Sequence, residues 1–205
     1  MVIFDQYCQR YDAWYDKNRF AYLSELQALK TVLPRSSRGL EIGVGTGRFA
    51  KPLGITIGVD PSAEMLKIAA NRGVNTRWSF GENLPFFKET FDYVAIIISL
   101  CFVQDPLQVL RESRRVLKKN GKIILGIVDK DSFLGRFYKR KKSVFYKEAT
   151  FFSVKELTEF LVDLKFKRIN YLQTLFDFPE KIKRVQKPRK GFGKGGFIVI
   201  SGKKA

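Results

Sequence analysis

Between Leu40 and Ala50 the sequence reads LEIGVGTGRFA, with glycines at 43, 45 and 47 and an acid, Glu41, two residues ahead of the first. A second acid, Asp60, closes the apolar run ITIGVD. A strand that runs into glycines and then a helix brings backbone N–H groups close to a nucleotide-like ligand. An acid at the tip of the next strand can accept two hydrogen bonds, as the hydroxyls of a ribose require. The spacing separates two chemistries. The dinucleotide fingerprint G-x-G-x-x-G needs its third glycine at position 48, which is Arg48 here, and an arginine would spoil the close helix–strand packing. Glu41 also sits badly beside a pyrophosphate. No G-x-x-x-x-G-K-[ST] occurs, which excludes a P-loop.

The absence of histidine removes Ser-His-Asp and Cys-His machinery and every histidine-containing metal site. Proton transfer would have to use Asp, Glu, Lys, Tyr, Cys or water. The two acids suit a ligand that joins a ribose to a cationic or amino-acid-like end. S-adenosylmethionine has an adenosine, a sulfonium and a zwitterionic amino acid, and is the expected cofactor.

The elements that must position these residues follow from hydrophobic periodicity. Ile3–Lys17 carries Phe4, Tyr7, Tyr11, Trp14 and Tyr15 at helical spacing, and Phe20–Leu33 reads as a second helix stopped by Pro34. LEIG, ITIGVD, VNTRWSF, FDYVAIIIS and KIILGIV read as strands, with helices over PSAEMLKIAANRG and DPLQVLRESRRVLKKNG, the latter closed by Asn120-Gly121. The strands are continuous apolar runs alternating with helices, the pattern of a parallel sheet covered on both faces. Asp129–Phe152 breaks the rhythm and reads as an insertion. SVKELTEFLVDL follows as a helix with a capping box from Ser153 to Glu156. FKRINYLQTLF and GGFIVISGKK have no helix between them and are expected to pair antiparallel.

In this order, LEIGVGTGRF, GVDPSAEML, GENLPF and DPLQVLRESRRVLKKNGKIIL resemble the successive motifs of class I S-adenosylmethionine-dependent methyltransferases of the broad type 11 group. The resemblance covers most of the chain. It implies an α/β fold: a Rossmann-like, mostly parallel seven-stranded sheet with helices on both faces and the last strand antiparallel. The chain is then one methyltransferase domain over 1–205, with an N-terminal helical lid at 1–34 and an insertion at 129–152 that shapes the substrate site. One departure stands out. Many relatives carry an Asp two residues before the Glu of ENLPF, and here that place is Phe80.

The cofactor-binding residues expected on this basis are Tyr11, Glu41, Gly43, Gly45, Gly47, Asp60, Pro61, Gly81, Glu82, Asn83 and Ser99. Most have a plainer reading beside the functional one. The glycines could be simple turn residues, and Asp60 could cap the helix that begins at Pro61. Glu41 could be a structural acceptor at a buried strand end rather than a guide for the cofactor's amino group. Ser99 lies at the crevice edge of the sheet and could equally cap a turn. Tyr11, in RYDAWYD, resembles the lid contact of the family, but an aromatic stripe also packs on cores. Cys101 reads as a small buried hydrophobe near the methyl position. GFGKGG, residues 191–196, could hold an anion or give a flexible entry to the last strand. No catalytic residue is assigned, because an activated methyl donor needs no base if the acceptor is nucleophilic; Tyr15 and Asp105 are the candidates if one is used. No metal is expected.

The chain has 38 Lys and Arg against 20 Asp and Glu, a net charge of +18, and nearly all of the excess follows residue 100. The cations in GRFYKRKKSVFYKEATFF alternate with aromatics. The charge can be a solvated surface or a docking face for polyanions. Two cysteines, no membrane-length apolar run and a charged N-terminus suggest a cytoplasmic protein without membrane contact. The expected function is methyl transfer to a small molecule. The alternatives are RNA methylation through the basic second half, or a non-catalytic cofactor- or RNA-binding protein of the same fold.

Overall fold

A computed structural model of the chain describes residues 2–34, 37–141 and 143–205. Helices α1 (Val2–Lys17) and α2 (Arg19–Val32) meet at Asn18, whose amide donates to the carbonyl of Trp14. The sheet then begins: β1 (Gly39–Ile42), the short α3 (Ala50–Leu53), β2 (Ile57–Asp60), α4 (Ala63–Asn71), β3 (Asn75–Trp78), β4 (Phe91–Ile97), α5 (Pro106–Val116) and β5 (Leu117–Val128). α6 (Phe133–Arg140), α7 (Val154–Asp163), β6 (Phe166–Thr174), β7 (Arg189–Lys190) and β8 (Phe197–Lys204) complete the chain.

The strand order is β3-β2-β1-β4-β5-β8-β6-β7. The first five strands pair in parallel, and β8 inserts antiparallel between β5 and β6. This is the Rossmann-like sheet anticipated above, with a two-residue edge strand, β7, added to its seven main strands. The order reverses between β1 and β4, so their carboxyl ends open a crevice where open α/β sheets bind ligands. Alternate residues on the central strands feed two cores. Leu40, Ile42, Val94, Ile96, Ile123 and Leu125 pack under α5 and α7, and Tyr93, Ala95, Ile97 and Ile124 pack under α1 and α2.

One expectation needs correction. The helix expected through Asn120 stops at Val116, where the apolar stripe that buries α5 runs out. Leu117 already pairs with Phe91 in the sheet, and the next registered pair is Tyr93 with Lys122. The exposed Lys118, Lys119 and Asn120 form the bulge between those pairs, with Asn120 at φ +62°. Within 129–152 the chain forms a helix of its own. Ser132 accepts from the Gly135 N–H and starts α6, which buries Leu134 and Tyr138. No helix among the described residues is long and apolar enough to cross a membrane.

Candidate functional site

The turn after β1 holds three glycines with positive φ, and each has its own physical reason. A Cβ on Gly43 (φ +70°) would lie 2.3 Å from Cβ of Ser99. One on Gly47 (φ +78°) would meet Ala69 and Val74 at 3.3 Å, where the turn packs on α4. One on Gly45 (φ +51°) would project into open space, with only the ring of Tyr11 at 4.0 Å. Gly43 and Gly47 therefore serve close packing, and Gly45 keeps the backbone open to a ligand.

Asp60 at the tip of β2 fastens this turn. Its two oxygens accept from the N–H groups of Gly45 and Ser62, each at 2.9 Å. Burial pushes its carboxyl upward and these two donors pull it back. Each oxygen keeps a further lone pair. The cap of α4 is Ser62, whose hydroxyl accepts from the Met65 N–H. Asp60 therefore braces the turn rather than capping the helix with its own side chain.

Around this turn lies a cleft of about 330 Å³. Of the expected residues, Tyr11, Gly43, Gly45, Asp60, Pro61, Gly81, Glu82 and Ser99 line it. Phe80 lines it too, in the place where many relatives have Asp. Ser99 spends its hydroxyl on the carbonyl of Ile42 at 2.8 Å, tying the ends of β4 and β1 together. Glu82 accepts from the N–H groups of Gln104 and Asp105 and so holds the loop beyond β4. Gly47 and Asn83 lie outside the lining; Asn83 is exposed.

Glu41 is also outside the lining. It is only 1% exposed, and its Oε2 has no hydrogen-bond partner among the described residues. Burial, and then the charge of Asp60, push its carboxyl well above the usual range.

A second cavity of about 220 Å³ adjoins the first. Its walls include Trp14, Tyr15, Tyr138, Tyr146, Phe151 and Glu25, and the two cavities share Tyr11, Ile98, Phe102 and Phe145. The candidate bases are poorly suited to proton transfer here. Tyr15 exchanges a 2.7 Å hydroxyl contact with Tyr11, and burial drives its phenol far above the ordinary value. Asp105 is the N-cap of α5. Burial pushes the Cys101 thiol up to about 12, which keeps it protonated and unreactive.

α1 is fastened over both cavities by contacts between residues far apart in sequence. Asp12 accepts from Thr46 at 2.6 Å, from Arg48 at 2.9 and 2.6 Å, and from Arg72 at 2.8 and 2.6 Å. These donors hold its carboxyl well below the usual range even though burial opposes them. Asp16 takes two more bonds from Arg48, and Asp5 accepts from the Ser62 hydroxyl. Arg48, which argues against a dinucleotide, is thus the clamp between the turn and α1. The signal was present as two acids one helical turn apart, Asp12 and Asp16, within RYDAWYD. The GFGKGG loop has a structural role as well: the N–H groups of Lys194 and Gly195 are bound by Oε1 of Gln173.

With this geometry in place, comparison with known proteins is informative. Residues 40–125 match the family model described as "Methyltransferase domain". The chain is 50% identical to the uncharacterized protein MJ1123 of Methanocaldococcus jannaschii over the full length of both. The crystal structure of a Thermotoga maritima "SAM-dependent methyltransferase, possible histamine N-methyltransferase" superposes with a TM-score of 0.97 at 48% identity, covering 100% of this chain and 99% of that one. A demethylmenaquinone methyltransferase, also from Thermotoga maritima, is 37% identical over 95 residues, covering 42% of this chain and 41% of its own.

Proposed function

Since the chain belongs to the type 11 group of class I S-adenosylmethionine-dependent methyltransferases, and is a methyl-transfer enzyme by that membership, we propose that its acceptor is a small molecule bound in the aromatic cavity. The observation that carries the proposal is the pair of adjoining cavities, which meet at Tyr11, Ile98, Phe102 and Phe145. One is built on the glycine turn. The other, about 220 Å³, is walled largely by aromatic side chains, a size suited to a compact molecule. The relatives named as a "possible histamine N-methyltransferase" and as a demethylmenaquinone methyltransferase point the same way.

The residues present fit the cofactor. Asp60 has lone pairs left for ribose hydroxyls, Gly45 leaves room for close backbone approach, and the unpartnered Oε2 of Glu41 lies beneath the turn. We assign Asp60 to the ribose and Glu41 to the cofactor's amino group through water. Gly81, Glu82 and Phe80 border the adenine, and Pro61 and Tyr11 form walls. Gly43 and Ser99 set the floor, while Gly47 and Asn83 support it from outside the cleft. Bound there, S-adenosylmethionine supplies an electrophilic methyl group and leaves as S-adenosylhomocysteine.

The protein's part is positioning and exclusion of water. Residues 1–34 act as a lid clamped through Asp12, Asp16 and Arg48, and 129–152 supply the far wall of the acceptor cavity. Holding two reactants in line can contribute roughly 7–11 kcal/mol to lowering a barrier. No side chain is assigned as a base, and no metal is invoked. The reading is of a cytoplasmic enzyme.

Calorimetry with S-adenosylhomocysteine and NAD tests the cofactor, with micromolar binding expected for the first and none for the second. Incubation with methyl-labelled cofactor and cell extract then shows whether label enters the small-molecule fraction. Label confined to RNA or protein would overturn the acceptor class.

A further inference from the structure

Glu25 is out of place as a structural residue. It lies on α2 beside Ala21, Leu26, Ala28 and Leu29, all buried, and is itself only 2% exposed. Its Oε2 has no hydrogen-bond partner among the described residues. Buried carboxylates are normally paired or hydrogen-bonded, and an apolar side chain would serve a core better here. Glu25 instead forms part of the wall of the aromatic cavity.

The groups around it are of one kind. Tyr11 and Tyr15 on α1, Tyr138 on α6 and Tyr146 in the following 3-10 turn line the same cavity. Tyr138 and Tyr146 stack with ring centroids 4.4 Å apart. Two cations, Arg10 and Lys141, also line the cavity, but both are exposed residues and neither forms an ion pair with Glu25. The Lys141 ammonium lies over the rings of Phe137 and Tyr138, at 5.6 and 6.0 Å from their centroids.

Aromatic faces attract cations, and a buried carboxylate needs a positive partner. An anionic ligand would be repelled by both, whereas an ammonium ion gives the ionised Glu25 the positive partner it lacks. We propose that the methyl acceptor is a small amine cation, held by its ammonium group against Glu25 and the surrounding aromatic faces, with the atom to be methylated presented at the opening formed by Tyr11, Ile98, Phe102 and Phe145. This rests on the methyltransferase reading and makes Glu25 the residue that determines acceptor specificity. Without a positive partner the protonated acid is favoured, because burial drives the Glu25 carboxyl well above its ordinary range. Binding of an ammonium ion therefore expels a proton.

The test uses the protein saturated with S-adenosylhomocysteine and matched pairs of probes: phenethylamine against 2-phenylethanol, and tryptamine against tryptophol. Calorimetry at pH 6 should show at least one amine binding tenfold or more tighter than its alcohol. Its heat should vary with the ionisation enthalpy of the buffer, reporting the expelled proton. Glu25→Gln, which keeps the shape and removes the charge, should abolish both the preference and the proton while leaving S-adenosylhomocysteine affinity unchanged. Equal binding of amines and alcohols, no binding of any probe, or an undiminished preference in Glu25→Gln would overturn the proposal. The comparison in the unmodified protein decides the matter even if the variant fails to fold. Failure of S-adenosylhomocysteine itself to bind would instead sink the cofactor reading.

Discussion

The glycine cleft and the aromatic cavity behind it share four side chains, yet they are built in opposite ways. The cleft is centred on a backbone turn. Its determinants are positive-φ glycines and a carboxylate that accepts from N–H groups of the adjoining turns, all between Gly43 and Ser62. The aromatic cavity is made of side chains gathered from distant segments: Tyr11 and Tyr15, Glu25, Tyr138, Tyr146 and Phe151. A turn of fixed backbone shape accepts one kind of ligand and tolerates little change. A cavity walled by side chains can be retuned one residue at a time. Function lives in sites carried on a fold, so one fold can serve different acceptors.

The largest effect expected from this contrast is on the backbone side. Gly43→Ala forces a Cβ against Ser99 at a positive φ, and should destabilise the protein by about 2–4 kcal/mol, combining overpacking with left-handed strain. Denaturant unfolding measures it, and adding Ser99→Gly should recover the part due to overpacking alone. A Gly43→Ala protein as stable as the parent would break the distinction between the two regions.

Next is Asp60→Ala, expected to weaken cofactor binding by about 1.5–3 kcal/mol, the scale of hydrogen bonds to a charged group. Calorimetry with S-adenosylhomocysteine reads this directly. Unchanged affinity would mean that the ribose lies elsewhere.

The clamp that joins the two regions should respond to pH. The donors around Asp12 hold its carboxyl below the usual range, so its contribution to folding is complete above about pH 4 and disappears as the pH falls through its depressed value. Hydrogen exchange should therefore find α1 protected at pH 5 and released only in stronger acid. Arg48→Met removes two of the bonds to Asp12 and both to Asp16. The release should then shift upward in pH, with a cost of about 1–2 kcal/mol at neutral pH, the lower range for charge-assisted bonds. Protection that is unaltered by this variant would show that α1 is held by its aromatic face alone.

The smallest effect is expected from the basic surface. Lys139 and Arg140 are exposed on α6, away from the glycine turn; Lys142, in the same charge run, lies outside the described residues. Reversing Lys139 and Arg140 should leave S-adenosylhomocysteine affinity unchanged. If the charge is only a solvated surface, RNA binding at physiological salt should be weak and methyl transfer to RNA absent. Filter binding over a salt series, run beside a transfer assay, checks this. A steep salt slope that flattens on charge reversal, with transfer, would favour the RNA reading.

Glycine turns, strand-tip acids and the Ser153 capping box are local features, and the sequence alone determined them. Continuous apolar runs alternating with amphipathic helices require a covered parallel sheet, and G-x-G-x-G with Arg48 and Asp60 specifies a turn that does not suit a dinucleotide. Even the antiparallel close of the sheet could be read from the missing helix between the last two long strands. Tertiary structure alone decided what the same residues do across long separations. Arg48 became a clamp because folding brought Asp12 and Asp16 to it, 36 and 32 residues away in sequence. Val116 ended its helix because Leu117 could pair with Phe91 in the sheet. Glu25 reads in sequence as one acid in an ordinary amphipathic helix, and became a buried, unpartnered carboxylate only when α1, α6 and the 3-10 turn at Tyr146–Glu148 closed around it. The physical reason is that caps and turns satisfy backbone groups within a few residues, whereas burial and charge pairing depend on which distant surfaces meet.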